Sequence, residues 1–385
     1  MQNQLQRQLK HQVSHAIAKF TETVLPDEFV AQMRATRDWN AWADALTPEI
    51  LDDLARASLE TQRRLFKANV RLVEIETHAR CNRVCSFCPN VIVDRRRNKT
   101  ITNVEMLDRV FDELGSIDFA GQLKVARYSE PLADLDSLYP RIASARMRVP
   151  HAQLTIVTNT DYLNPAVLDK LNDLGLNVIY LSLYLKSNET WSVELARDYN
   201  ERIAAKLGVQ VTSKQETPIA THWTFRYKNL DLRSSCMNWD IYGVDRGDSM
   251  KQYAVGQRVG PCRAPFDTFV VDYDGSVVPC CNIRSDLPEH KKMVVANLSS
   301  LETSIFGTYA GRLSAWRRSM VGFGAKAFPC ATCRHLDIPE KSATTIGAHL
   351  KKRLTEIQRA ELYALPIGMN AERKRESASV SNDRT

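Results

Sequence analysis

The sequence predicts an α/β protein built on a parallel sheet, with helical residues before it and a cysteine-rich segment after it. Three observations predict this. From residue 71 strand-length apolar runs alternate with helical segments. Those helical segments open on capping residues and close on glycine. A hairpin signal at Asp274-Gly275, flanked by valine-rich runs, follows after the alternation ends.

Residues 1–70 read as helical. Apolar residues recur at Leu5, Leu9, Val13, Ile17, Phe20 and Val24, the stripe of an amphipathic helix. The first twenty residues carry no acid and include Arg7, Lys10 and Lys19. A transit peptide shares part of that pattern, but a helix packed on the protein's own body explains it too. Thr47-Pro48-Glu49 is a helix start whose helix is expected to run to about Asn69.

Leu72-Val73-Glu74-Ile75-Glu76-Thr77 alternates apolar and polar, as a strand does. Thr102-x-x-Glu105 reads as a capping box for a helix ending at Gly115. Further strands are expected at Leu123–Tyr128, Leu154–Thr158 and Val178–Tyr184, and a fifth within Ile219–Tyr227. Asn164-Pro165 opens a helix ending at Gly175, and Ser187-Asn188 is expected to cap a longer one reaching Leu207. The expected organisation is a helical extension over 1–70, a core over 71–240, a cysteine-rich domain over 255–340, and a C-terminal helix with a polar, disordered tail over 341–385.

The 385 residues suffice for one large domain and a smaller one. An apolar content of 44% and a charged content of 25% are those of a water-soluble globular chain. The net charge of +7 is partly local, in Arg95-Arg96-Arg97 and Arg373-Lys374-Arg375, which read as solvated surface. Nucleic acid is therefore not an expected partner. No run of 18 apolar residues exists, so no membrane partner is expected.

The nine cysteines lie at 81, 85, 88, 236, 262, 280, 281, 330 and 333. An odd number at tight local spacings fits metal ligation in a reducing, cytoplasmic setting better than a disulfide framework. Cys81-x3-Cys85-x2-Cys88 follows the first strand, where ligand-binding loops of α/β folds sit. Three thiolates can hold three irons of a [4Fe–4S] cluster, leaving one iron open to an outside ligand. Cys262, Cys280, Cys330 and Cys333 form a four-ligand pattern. Zinc is the alternative at either set, with His78 at hand for the first. Cys281 adjoins Cys280, so the two side chains face opposite ways along an extended chain, and Cys281 reads as a buried small side chain.

The triad, with aromatic Phe87 between its last two cysteines, resembles that of the radical S-adenosylmethionine (SAM) superfamily over residues 71–235. The second set, with Cys262-Arg263-Ala264-Pro265-Phe266 and Gly275-x4-Cys280, resembles the SPASM or shortened twitch extension, here with cysteines for one auxiliary cluster. The resemblance implies a partial (β/α)6 TIM-type barrel with an N-terminal helical extension and a small C-terminal auxiliary-cluster domain. It implies metal ligation by Cys81, Cys85, Cys88, Cys262, Cys280, Cys330 and Cys333, with SAM and two [4Fe–4S] clusters as cofactors.

The family's Gly-Gly-Glu-Pro motif has its counterpart in Tyr128-Ser129-Glu130-Pro131, where both glycines are replaced. By resemblance Ser129, Glu130, Asn159 and Ser182 contact SAM, and Phe87 covers the cluster and flanks the adenine. Cys236 is either an inert buried thiol or, as in some relatives, a hydrogen-atom donor.

The implied chemistry is reductive cleavage of SAM followed by hydrogen abstraction from an unactivated C–H bond. The expected substrate is a sugar, aminocyclitol or similar polar metabolite, oxidised or remodelled. A peptide to be crosslinked or epimerised is one alternative, and a non-enzymatic iron–sulfur or zinc scaffold is another. An electron donor such as flavodoxin or ferredoxin is the expected protein partner.

Overall fold

A helix of eleven residues, α1 (Leu59–Asn69), leads into the first strand. The Ser58 side chain accepts from the Thr61 amide and caps it. The helix that reaches Asn69 thus has its own start at Leu59. Phe66 of α1 is fully buried and meets Phe269, Phe306 and Tyr309 edge-on at 5.3–5.5 Å. The computed structural model describes residues 56–254, 256–321 and 324–335, within one compact unit spanning Leu51–Asp337. The amphipathic stripe, the Thr47 cap and the C-terminal helix and tail read from the sequence lie outside the described residues.

Ten strands form one open sheet: β1 (Leu72–Ile75), β2 (Gln122–Lys124), β3 (Gln153–Thr158), β4 (Val178–Leu183), β5 (Gln210–Thr217), β6 (Ala220–Tyr227), β7 (Leu230–Met237), β8 (Thr268–Val271), β9 (Ser276–Val278) and β10 (Ala296–Asn297). Their order is β10-β9-β8-β1-β2-β3-β4-β7-β6-β5. The six from β8 to β7 run parallel, as a partial (β/α)6 barrel requires, and the sheet does not close.

Two details differ from the sequence reading. The strand expected in Ile219–Tyr227 is β6, which runs antiparallel between β5 and β7, so β7 continues the parallel series beside β4. The Asp274-Gly275 hairpin forms, but its first strand, β8, also pairs in parallel with β1 and joins the main sheet. Gly275 takes φ +81°, where a side chain would be strained.

Helices α2 (Val104–Gly115), α3 (Leu135–Arg148), α4 (Pro165–Asp173) and α5 (Val193–Leu207) connect the parallel strands. Asn164 caps α4 as expected, accepting from the Val167 amide. Two caps shift. Asn103, not Thr102, caps α2, because the Thr102 hydroxyl donates instead to the Glu76 carbonyl at 2.7 Å. Ser192, not Ser187, caps α5, and Gly208 ends that helix at φ +64°.

The sheet has two unlike faces. Val73, Ile75, Leu123, Val125, Leu154, Ile156, Ile179, Leu181 and Leu183 alternate onto one face, none more than 4% exposed. The strand register places Glu74, Lys124, Thr155, Tyr180, Ser182, Arg233 and Ser235 on the other. That face is polar and hydrogen-bonded across strands. Lys124 pairs with Glu74, and Gln122 Nε2 donates to Thr155 Oγ1 at 3.1 Å and to the Tyr180 hydroxyl at 3.3 Å.

Candidate active site

The first cysteine loop leaves β1 at the carboxyl end of the parallel strands. Thr77, His78 and Ala79 are buried, and the Ala79 amide donates to the Thr100 carbonyl, so the loop starts from a fixed base. His78 is not free to bind a metal. Its Nδ1 accepts from the Arg80 amide at 3.1 Å, and its Nε2 faces the Pro131 carbonyl at 3.5 Å. Cys81, Cys85 and Cys88 come close enough for their charges to interact. Burial, then the charges of Glu130 and Cys88, pushes Cys81 up to about 11; burial, then the thiols of Cys88 and Cys81, pushes Cys85 up to about 12.

Cys262, Cys280, Cys330 and Cys333 are likewise brought together. Burial first, then the neighbouring charge of Cys281 and those of Cys330, Cys262 and Cys333, holds Cys280 well above the usual thiol range. Cys330 and Cys333 are each pushed up to about 12, chiefly by burial. The buried Arg258 guanidinium ties this group's loops, donating to the carbonyls of Gly260 at 3.0 Å, Cys333 at 3.1 Å and His335 at 2.8 Å. Its place in the sequence gave no signal of that role.

Crowded thiols of this kind do not ionise together unless a metal takes the place of their protons. Three thiols in one loop and four gathered from separate segments fit an iron–sulfur cluster with one open iron and a fully ligated one. Among the described residues no three His, Cys, Asp or Glu side chains are close enough to chelate a single ion. Around a cubane each thiolate meets its own iron, so the sulfurs stand wider apart than around one ion.

Glu130 lies in the loop after β2, and its carboxylate is already occupied. Oε1 accepts from Thr158 Oγ1 at 2.6 Å and the Leu132 amide at 3.1 Å, and Oε2 accepts from the Asn159 amide at 2.7 Å. Burial raises its pKa to about 7 against those hydrogen bonds. It therefore locks the β2 and β3 loops together, and its own amide donates to the Arg80 carbonyl beside the triad. Asn159 Nδ2 donates to Asn82 in the cysteine loop at 2.8 Å. The Ser129 hydroxyl is buried without a hydrogen-bond partner. Ser182 lies on the polar face and hydrogen-bonds Tyr184.

Phe87 stacks flat on Trp239, 4.3 Å between centroids at 8°, with Tyr184 tilted 5.0 Å away. The sequence reading singled out neither Trp239 nor Tyr184. The structure does not bring Cys236 to this group. Cys236 pairs with Leu183 in the β4–β7 register and is fully buried on the apolar face, while Ser235 shares the polar face with Ser182. Burial pushes its thiol up to about 12. The hydrogen-donor reading of Cys236 is thus corrected: a one-residue step along β7 turns the side chain to the helix layer.

Glu76 and Arg95 were also missed. Glu76 Oε1 accepts from the amides of Tyr128 and Ser129 at 2.8 and 2.7 Å and pairs with Arg95 at 2.8 Å. Burial would raise Glu76, but the Arg95, Arg127 and Arg284 guanidiniums hold it below the usual carboxylate range. Arg95 is fully buried and also pairs with Asp286 at 2.8 Å. The arginine run read as surface is therefore mixed: Arg95 turns inward, while Arg96 pairs with Asp94 in solvent. Alternation along β1 had placed Glu74 and Glu76 on one face; nothing local marked Arg95.

No family model matches the chain. Its sequence is similar to that of an S-adenosyl-L-methionine-dependent 2-deoxy-scyllo-inosamine dehydrogenase of Niallia circulans. The two are 22% identical over 271 residues, which cover 69% of this chain and 94% of that enzyme. That similarity supports the radical SAM resemblance read from the cysteine triad. Among solved structures the chain is similar to BtrN in complex with AdoMet and 2-DOIA, at 20% identity and TM-score 0.46, over 65% of this chain and 87% of that one. It is also similar to Streptococcus suis SuiB bound to the precursor peptide SuiA, at 12% identity and TM-score 0.37, over 71% of each chain. No helix among the described residues is long and apolar enough to cross a membrane.

Proposed function

We propose that this radical SAM enzyme oxidises a polyhydroxylated, amine-bearing ring such as an aminocyclitol, and that the second cysteine set takes up the electron the substrate loses. The polar face of the sheet carries this reading. A wall of Glu74, Lys124, Gln122, Tyr180, Ser182 and Arg233 offers charged and neutral hydrogen-bonding groups at short spacing. Such a wall suits a small ring bearing several hydroxyls and an ammonium. The similarity to an inosamine dehydrogenase across 94% of that enzyme supports the same substrate class.

Cys81, Cys85 and Cys88 would hold a [4Fe–4S] cluster, which would supply the one-electron reductive cleavage of SAM that makes hydrogen abstraction from the ring possible. Cys262, Cys280, Cys330 and Cys333 form a twitch-type site for one auxiliary [4Fe–4S] cluster. Glu130, through Thr158 and Asn159, fixes the loops around the SAM site, and Glu76 fixes the amides of Tyr128 and Ser129. Phe87, Tyr184 and Trp239 form an apolar wall that keeps water from the radical. Lys124 and Glu74 bind and orient the ring. The reductant is a small one-electron carrier of the flavodoxin or ferredoxin kind.

The test is anaerobic turnover with SAM, dithionite and a panel of aminocyclitols. We expect a ketone product formed in step with 5′-deoxyadenosine. Turnover of a peptide with no aminocyclitol oxidised would overturn the substrate class.

A further inference from the structure

Tyr128 occupies a position where the resembling motif has glycine, so its side chain is an addition of this chain. Its backbone belongs to the loop after β2, on the SAM side, where its amide donates to Glu76. Its hydroxyl donates to the carbonyl of Cys281 at 2.7 Å, in the segment that carries the second cysteine set. The same carbonyl accepts from Arg127 at 3.2 Å.

Three guanidiniums surround the ring, with Arg284, Arg127 and Arg246 at 5.0, 5.2 and 5.9 Å from its centroid. Arg284 is paired with Asp286, and Arg127 with Asp272 and Glu74. Arg246 differs. Its Nη1 donates to Asn282 at 3.0 Å, its Nε is a buried donor without a hydrogen-bond partner, and among the described residues no carboxylate lies within ion-pair distance. It lies close enough to Cys88 and to Cys281 to interact with the charge of each. A cation without its own anion is thus held between the two cysteine sites.

We propose that Tyr128 is a positioning residue that joins the two sites and, with the arginines it gathers, raises the reduction potential of the iron–sulfur cluster at the second set. Net positive charge and hydrogen bonds near a cluster favour its reduced form. The carbonyl of Cys281 points its negative end into this region, and the tyrosine hydroxyl offsets it. A second cluster poised higher in potential is a better acceptor for the one electron that the substrate radical gives up after losing its hydroxyl proton. The inference rests on the second set holding such a cluster.

The test is an electron-paramagnetic-resonance redox titration of the second cluster. It is run in full-length protein carrying Cys81→Ala, Cys85→Ala and Cys88→Ala, so that only the second cluster is read. Iron is first counted in this background with Tyr128 intact; absence of iron there defeats the proposed function itself and this inference with it. With iron present, Tyr128→Phe, which keeps the ring and loses the hydroxyl, is expected to lower the midpoint potential at unchanged iron content. Tyr128→Gly is expected to lower it further. Arg246→Gln provides an independent arm with the same downward shift, should a Tyr128 variant fail to fold. An unchanged potential in the variants that load iron would overturn the role of Tyr128 while leaving the second cluster in place.

Discussion

The two cysteine sites are built in opposite ways. Cys81, Cys85 and Cys88 lie within eight residues of one loop and number three. Cys262, Cys280, Cys330 and Cys333 come from segments up to 71 residues apart and number four. A single loop can offer three thiols on one side and leave the fourth side to a ligand. Segments folding together can enclose a cluster on all sides. The difference parallels that between open catalytic and closed structural metal sites. In the function proposed above, the first site is built to react and the second to hold or pass charge.

The largest effect expected from breaking this contrast is at the open site. Cys85→Ala should abolish dithionite-driven 5′-deoxyadenosine formation, read by chromatography. Next, Cys330→Ala with Cys333→Ala should lower the iron content from about eight to about four per chain by ligand count. Product formation should fall while SAM cleavage persists.

The ion pairs that link the two segments give smaller, structural effects. Arg95 sits between Glu76 and Asp286 with no exposure. Removing one member of a buried pair leaves the others unpaired, so Arg95→Met should cost roughly 3–5 kcal/mol, measured by urea unfolding. Asp286 gives the smallest change and a pH signature. Burial would raise it, but Arg284 and Arg95 bring it down to about 2 from 3.8. A carboxylate held low in the folded state contributes stability above pH 3.8, and that contribution is lost as pH falls through 2. Asp286→Asn should therefore cost about 2 kcal/mol at pH 7 and less at pH 3. A difference that stays constant with pH would contradict the pairing.

How far the sequence carried the account depended on the distance over which each feature is built. The alternation along β1 and the Asn164-Pro165 cap are local, and the structure forms them where they were expected. The cap of α5 was ambiguous because Ser187 and Ser192 carry the same hydroxyl signal, and tertiary packing chose the second. The face of Cys236 depended on which strand pairs with β4, which no local pattern states. Arg95 meets Asp286 across 191 residues and Arg284 meets Asn90 across 194, contacts set by β8 lying beside β1. The polar face of the sheet was half legible, as polar residues alternating with apolar ones. Its composition as one surface needed the register.

The most direct measurement of the central claim, an open reactive site beside a closed electron-holding one, is on the Cys330→Ala, Cys333→Ala enzyme, purified anaerobically. The account predicts about four irons per chain, by ligand count, and continued dithionite-driven 5′-deoxyadenosine formation without ketone product. Loss of 5′-deoxyadenosine formation with iron still bound at the triad, or full ketone production, would contradict it.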